Sequence, residues 1–544
     1  MDSTNIRVLS QNCWGIPFLS LFRKERILAL AKEISTGKYD IVALQEVWSE
    51  EDYTCLCMYS KSVLPYSHYF YTGVIGSGLC ILSKGPILNT IIHQYSLNGK
   101  PHKIWHGDWF GGKCATLSIL QFDSFIIHFY LTHTIAKYTT SNSLAENIVL
   151  KNYNDDPLNY FDHYSKTDDI YAVHRLCQLF ELANFITLTS NSKHDAIILA
   201  GDLNCSPNEL PIKLLLTYTG LSDSWQSYFN NSIINCECED YLCKDENEKY
   251  KGTYIDNGLI QRKNMGKLPP HNIIKNDNFE FPETLNSDEN IEDNVSLINS
   301  LEPKDSWTFS NPSNSFTVSQ SFTNIISAKM SQCWDFMKAH KCDINNFHNV
   351  PCSGQRLDYI LFGVVNQSVK IDCHRYRIFS DKVNYQHNKI ECMSLSDHEG
   401  VLVHFSLARN KDKIRCNDSQ ERTFPLCKDA IYLPTVDLIL EKALVDGNKE
   451  SRVYKILSFA LSVLLFVLFL YESCLKIVLS PFLSSLTFSV SIVFLRMNVY
   501  SFICFCLWMA LVCHRTEVSA LKNVRKTIEL LRLHHDTQLN NLGV

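Results

Sequence analysis

Four things are missing from this sequence, and each absence excludes something. There is no excess of basic charge: 51 lysines and arginines face 57 acidic residues and the formal net charge is −6. No general positive field therefore invites duplex nucleic acid, and none is expected as a partner. The start, Met1 to Val8, has no basic segment followed by an apolar core, so no signal peptide is expected. The 21 cysteines lack the paired spacing of a zinc site; Cys55/Cys57 and Cys236/Cys238 are each separated by a single residue, and most cysteines read as reduced thiols. No GK[ST] follows Gly76-Ser77-Gly78, so tight hairpin geometry explains that pair better than a phosphate loop.

What is present begins with length. A chain of 544 residues exceeds what one hydrophobic core usually supports, so one large domain with appendages, or two domains, is expected. Its organising stretch is Ile197-Ile198-Leu199-Ala200-Gly201-Asp202-Leu203-Asn204, a buried apolar strand that ends in a glycine and two polar residues. In an extended chain, residues two apart point the same way, which would turn Asp202 and Asn204 toward one pocket. The same letters also make ordinary Asx turns. Companions sit at other strand ends. Ile6 to Leu9 runs into Asn12 before an amphipathic helix over about 21 to 34. Ile41 to Leu44 runs into Glu46 before a helix capped by Ser49. A hairpin of Cys114 to Leu120 and Phe125 to Leu131 delivers His133. A helix is expected over 168 to 188, and two late strands bring Asp358 and Asp397-His398.

Other stretches read as additions. Residues 137 to 166 are polar and read as a surface insertion, and an Asn- and Ser-rich insertion covers about 226 to 349. Within a catalytic region of 1 to 409, Trp105-His106-Gly107-Asp108-Trp109-Phe110 reads as an exposed aromatic loop touching lipid, or equally as core. A polar linker is expected over 410 to 452, a transmembrane hairpin of two helices over 453 to 515, and a cytosolic tail over 516 to 544. The hairpin rests on apolar runs broken only by Pro481 and Arg496-Met497-Asn498, with nothing left over to bury them. Lys449, Arg452 and Lys455 before it, and Arg515, Lys522, Arg525, Lys526 and Arg532 after it, place both ends in the cytosol by the positive-inside rule.

Alternating helices and strands with polar strand ends describe an α/β enzyme. In their order, Asn12, Glu46, His133, Asp202/Asn204, Asp358 and Asp397/His398 resemble the metal-dependent phosphoesterase superfamily of deoxyribonucleases, abasic-site endonucleases, inositol-polyphosphate phosphatases and neutral sphingomyelinases. Longer strings narrow the resemblance: Asn12-Cys13-Trp14-Gly15-Ile16-Pro17, Leu44-Gln45-Glu46-Val47-Trp48, His106-Gly107-Asp108-Trp109-Phe110, Gly201-Asp202-Leu203-Asn204, Arg356-Leu357-Asp358-Tyr359 and Ser396-Asp397-His398-Glu399. These look like the magnesium-dependent neutral sphingomyelinases that carry C-terminal membrane helices. One departure is that Thr134-Ile135-Ala136-Lys137 follow the strand-end histidine, where that family tends to place a second histidine and a glutamate.

The resemblance implies a four-layer sandwich of two packed mixed β-sheets flanked by helices, and a C-terminal transmembrane helical hairpin. It implies sphingomyelin as substrate, a phospholipid bilayer as partner, ceramide and phosphocholine as products, and an internal membrane such as the endoplasmic reticulum as location. A phosphodiester repels anionic nucleophiles, so a hard cation is needed, and Mg²⁺ suits Glu46 and Asn12, with Asp397 as a further ligand. His398 is the expected general base and Asp358 its orienting carboxylate. Asp397 is also expected to help place water or phosphate. Asp202 and Asn204 would orient the nucleophile and a phosphoryl oxygen, and His133 would hydrogen-bond the phosphate or leaving oxygen. Two alternatives stay open: an inositol-phosphate phosphatase of the same fold, and a non-catalytic membrane scaffold.

Overall fold

A computed structural model of the chain describes residues 3–17, 19–20, 22–138, 157–190, 195–228, 356–364, 368–379, 382–383, 393–409, 430–478 and 486–542. The expected insertion at 226 to 349 lies almost wholly outside the described residues, as do the first part of the linker and Pro481.

Fourteen strands are described: β1 (Ser3–Asn12), β2 (Ile41–Gln45), β3 (Tyr66–Phe70), β4 (Leu79–Ser83), β5 (Ile87–Gln94), β6 (Cys114–Phe122), β7 (Phe125–His133), β8 (Ala196–Asp202), β9 (Ser222–Asp223), β10 (Asp358–Val364), β11 (Val369–Phe379), β12 (Lys382–Val383), β13 (Met393–Ser394) and β14 (Gly400–Arg409). They form two six-stranded sheets, β11-β14-β1-β2-β4-β3 and β5-β6-β7-β8-β10-β9, with a small β12-β13 ladder. Both large sheets are mixed, since β1 runs parallel to β2 and β7 parallel to β8 while the remaining pairs are antiparallel.

The period of two along each strand builds the layers. Ile6, Val8, Ile198 and Ala200 point into the core between the sheets. Leu9, on the other face of β1, packs with helix α1 (Arg23–Ile34) and helix α2 (Glu50–Ser60). Ile197 and Leu199, on the other face of β8, pack under helices α5 (Ala172–Thr189) and α6 (Leu210–Thr219). The result is a four-layer sandwich. Because both faces of β8 are covered, its sequence is a continuous apolar run instead of an alternating one.

Two helices stand where the sequence suggested irregular chain. The short helix α3 (Asp108–Gly111) interrupts the aromatic loop, and α4 (Pro157–Lys166) lies in the polar stretch read as an insertion. Tyr160 of α4 is buried and shares a cluster with Leu176 and Phe180 of α5.

The expected linker is also different. Residues 433–452 are the opening of a continuous 46-residue helix, α7 (Leu433–Val478). Its Leu433, Val436, Ile439, Leu440 and Leu444 pack with Val518, Leu521, Val524 and Ile528 of helix α9 (His514–Leu542) and with Leu97, Leu176 and Leu214 of the sandwich. The stretch expected as a cytosolic tail is thus a helix packed on α7. Between them, helix α8 (Leu486–Trp508) passes straight through Arg496-Met497-Asn498, which therefore do not divide it. A π-turn, Met509–Cys513, joins it to α9. Two helices of the described residues are long and apolar enough to cross a membrane, and Ile456, Phe459, Phe466 and Phe494 along them are exposed.

Candidate active site

Strand register assembles one half of the site. His133 at the end of β7 lies opposite Asp202 at the end of β8, and Asp202 lies opposite Asp358 at the start of β10. Gly201 makes this close: its φ is +149°, and a Cβ there would come within 2.0 Å of the Thr132 carbonyl oxygen, so a side chain would push β8 off β7. Buried Arg356 fixes the start of β10 by pairing with Asp223 at 2.6 and 3.0 Å.

The first sheet supplies the other half. β1 and β2 end side by side, and Asn12 Nδ2 donates to Glu46 Oε1 and to Asp202 Oδ2, each at 3.1 Å. Asn12 therefore bridges the two sheets. Glu46 has a left-handed φ of 59°, as do Trp14 (46°) and Asn204 (47°), a conformation that costs non-glycine residues roughly 1–3 kcal/mol and gathers at functional positions. Arg26 holds the mouth together, donating to the carbonyls of Cys13, Trp14 and Leu395.

His398 enters from the segment before β14, its carbonyl receiving Gln11 Nε2 at 3.0 Å. Its Nδ1 lies 2.9 Å from Asp358 Oδ2 and 3.8 Å from Asp202 Oδ2. A carboxylate only accepts, so Nδ1 carries the proton and Nε2 is the basic nitrogen. Burial opposes the imidazolium, but the charges of Asp358 and Asp202 outweigh it and hold His398 well above the ordinary histidine range. His133 goes the other way, driven well below that range by burial and by Lys113. Burial, reinforced by Asp358, pushes Asp202 up to about 6, and burial raises Glu46 against the pull of Lys113.

Six of the expected residues, Asn12, Glu46, His133, Asp202, Asp358 and His398, are thus linked into one cluster, with Asp202 touching Asn12, His133 and His398. Two are placed differently. Asn204 does not continue β8 in extended form; it turns, and its Nδ2 donates to the Thr134 carbonyl at 3.0 Å. The alternating geometry expected for Asp202 and Asn204 fails at that φ. Asp397 takes a hydrogen bond from Ser396 at 3.3 Å and reaches Glu46 through its charge.

The sequence reading assigned no role to Lys113 or Asp108. Lys113 Nζ lies 2.9 and 3.0 Å from the two ring nitrogens of His133 and 3.6 Å from Asp108. The signal was available, because Lys113 directly precedes β6, the hairpin partner of the strand that ends in His133.

The donors fit a divalent cation. Glu46 Oε2 is buried with no hydrogen-bond partner among the described residues, and the raised Glu46 and Asp202 mark crowded negative charge that a cation would relieve. Asp202, Asp358 and His398 also each offer a ligand atom within 4.8 Å of the others. The 2.9 Å Asp358–His398 bond already engages that set, and Asn12 Oδ1 accepts the Trp14 N–H at 3.0 Å, which leaves Glu46 Oε2 as the best-disposed ligand atom, with Asn12 beside it.

Strand-end acids and histidines from the two sheets thus gather in one place, and comparison supplies the family. The Endonuclease/Exonuclease/phosphatase family profile matches residues 9–398, and the chain belongs to that family. It is 38% identical over 223 residues to sphingomyelin phosphodiesterase 2 of Homo sapiens, covering 41% of this chain and 46% of that one. It is 33% identical over 229 residues to inositol phosphosphingolipids phospholipase C of Schizosaccharomyces pombe, covering 42% and 48%. The chain spans about half the length of the curated relatives it matches. Among solved structures, sphingomyelinase C of Streptomyces griseocarneus aligns over 74% of this chain and 99% of its own, at 13% identity and a TM-score of 0.36.

Proposed function

We propose that this chain is a membrane-anchored neutral sphingomyelinase, hydrolysing sphingomyelin to ceramide and phosphocholine with Mg²⁺ at Glu46 and Asn12. The observation that carries the reading is the His398–Asp358 pair at 2.9 Å, set beside Asn12 and a Glu46 oxygen left without a partner among the described residues. The names of the relatives supply the substrate class, and the exposed apolar faces of α7 and α8 support an anchor in the lipid that holds it.

His398 takes a proton from the attacking water at Nε2 while Asp358 stabilises the imidazolium that forms. The water oxygen bonds to phosphorus as the phosphorus–oxygen bond to the ceramide breaks, its electron pair leaving with the ceramide oxygen, which takes a proton from solvent while His398 gives its own back to solvent to reset. Asn12 keeps Glu46 and Asp202 in register across the sheets. Neutral His133, with the Lys113 cation against its ring, offers a hydrogen bond where negative charge grows on the phosphate or leaving oxygen. Bound Mg²⁺ supplies the positive charge that lets an anionic diester enter among these carboxylates. Catalytic domain and tail both face the cytosol in this reading, following the positive charges at the two ends of the hairpin.

The relative from fission yeast motivates a second substrate class, inositol phosphosphingolipids, cleaved at the equivalent bond. Release of phosphocholine from sphingomyelin in mixed micelles, with and without Mg²⁺, tests the first reading beside an inositol phosphosphingolipid. Mg²⁺-dependent phosphocholine release is expected. A folded, Mg²⁺-loaded protein that leaves sphingomyelin intact would sink the proposal, and cleavage of the inositol lipid alone would replace it with the second.

A further inference from the structure

The turn after β3 and the segment around α3 expose apolar side chains on one edge of the sandwich. Tyr71 is 62% exposed, Val74 74%, Ile75 53%, Ile104 60% and Trp109 43%. Backbone bonds lock the two segments together: Val74 N and Ile75 N both donate to the Phe110 carbonyl, at 2.8 and 3.2 Å, and Thr72 Oγ1 donates to the Gly112 carbonyl at 2.7 Å. A side-by-side set of exposed aliphatic and aromatic residues costs solubility and marks an interaction surface.

The helices say what covers it. Val74 and Trp109 line the same cavity, of about 260 Å³, as Cys513, His514 and Glu517 at the start of α9. Lys100, on that cavity wall, lies 3.6 Å from Glu450 of α7 and 3.8 Å from Glu517, and His174 of α5 lies 3.1 Å from Glu517. The exposed apolar run of α7 begins just beyond, at Val453 and Ile456, and that of α8 extends through the π-turn to Val512. From Glu450 to Ile456 is six residues, or about 9 Å of helix rise. The rim therefore stands within a headgroup layer's depth of the apolar spans, and the short helix that exposes Trp109 also sets Asp108 against Lys113 in the site.

We propose that Tyr71, Val74, Ile75, Ile104 and Trp109 form a docking rim that sits in the headgroup layer of the same bilayer that holds α7 and α8, so that the active site draws lipid from its own leaflet. This rests on the membrane-anchored reading above. Tyrosine and tryptophan side chains favour that layer, the aliphatic Val74, Ile75 and Ile104 would bury apolar area there, and Lys100 ties this edge to Glu450 of α7 and Glu517 of α9.

The test uses the full chain in phosphatidylcholine vesicles that contain no sphingomyelin, with a photoreactive benzoylphenylalanine placed singly at Ile75, Ile104, Phe459 or Leu188. Leu188 is 67% exposed but lies fourteen residues along α5 from His174, about 21 Å of rise away from the membrane end. Lipid adducts at Ile75 and Ile104 should exceed those at Leu188 by roughly tenfold, as expected of a probe within the lipid layer. Adducts at Phe459 with only the Leu188 level at Ile75 and Ile104 would overturn the rim and leave the anchor standing. No adduct at Phe459 would overturn the anchor and the rim with it. Hydrolysis enters neither readout, so a failed sphingomyelinase assay leaves this result unaffected.

Discussion

The end of the sandwich that holds His398 and the helical stand formed by α7 and α9 treat charge in opposite ways. At the sandwich end, carboxylates crowd together, Asp202 is pushed up to about 6, a Glu46 oxygen has no partner among the described residues, and three residues take left-handed backbone. In the stand, acids are paired with bases: Asp437 with Arg525 and Arg532 at 2.7 and 3.3 Å, Glu441 with Arg525 at 3.1 Å, and Glu517 with His174 at 3.1 Å. One region stores unfavourable electrostatics that a substrate and a cation can relieve. The other spends its charges on holding position. Substitutions should follow that division, changing chemistry in the first and only stability in the second.

The largest effect is expected from His398→Ala, which removes the basic nitrogen and should lower phosphocholine release by about 10⁴-fold. Loss of less than tenfold with normal folding would move the base elsewhere. Asp358→Asn comes next, at about 10³-fold, and carries a pH signature. The reaction needs neutral His398, and Asp358 raises its pKa, so activity rises as pH climbs through that raised value. Taking away the carboxylate charge lowers the pKa and moves the acid limb of the kcat/KM profile to lower pH. A limb that stays put would show that His398 is not the group being titrated.

Glu46→Gln should cost about 10²-fold at limiting Mg²⁺ and move half-saturation to higher Mg²⁺. It should also raise the Tm of the metal-free chain, because burial raises the Glu46 pKa and the amide has no charge to desolvate. Saturating Mg²⁺ should stabilise the unsubstituted chain by about 2.7 kcal/mol at a hundredfold excess over Kd, and the variant less, which calorimetry with and without the ion would measure. Glu517→Gln, in the stand, should be the mildest, lowering stability by roughly 1 kcal/mol and leaving micellar turnover within about twofold. A large loss of turnover there would erase the contrast between the regions.

The sheets and much of the site were legible because buried strands announce themselves, and a polar residue at the end of an apolar run needs a reason. His133, Asp202 and Asp358 share a row by register alone. What stayed hidden depended on partners. Leu433, Val436, Leu440 and Leu444 have helical spacing, yet in a charged stretch that spacing means little until Val518, Leu521 and Val524 are found opposite. Lys113 was missed because it opens a strand instead of closing one. Asn204 was misplaced because extended geometry was assumed beyond Asp202, where β8 ends, out to Asn204, whose own φ is positive.

The 46 unbroken residues of α7 also have a kinetic meaning. On the membrane-anchored reading proposed above, a catalytic centre tied to a plane by one continuous rod would meet substrate by lateral diffusion, so its rate law should contain the surface mole fraction of lipid and not its bulk concentration. Diluting sphingomyelin within the plane with an inert lipid should slow turnover in proportion, whereas diluting the same vesicles in buffer should leave it unchanged. Each molecule would exhaust the vesicle it occupies and leave vesicles without enzyme untouched, so the extent of a reaction would report how many vesicles carry at least one copy.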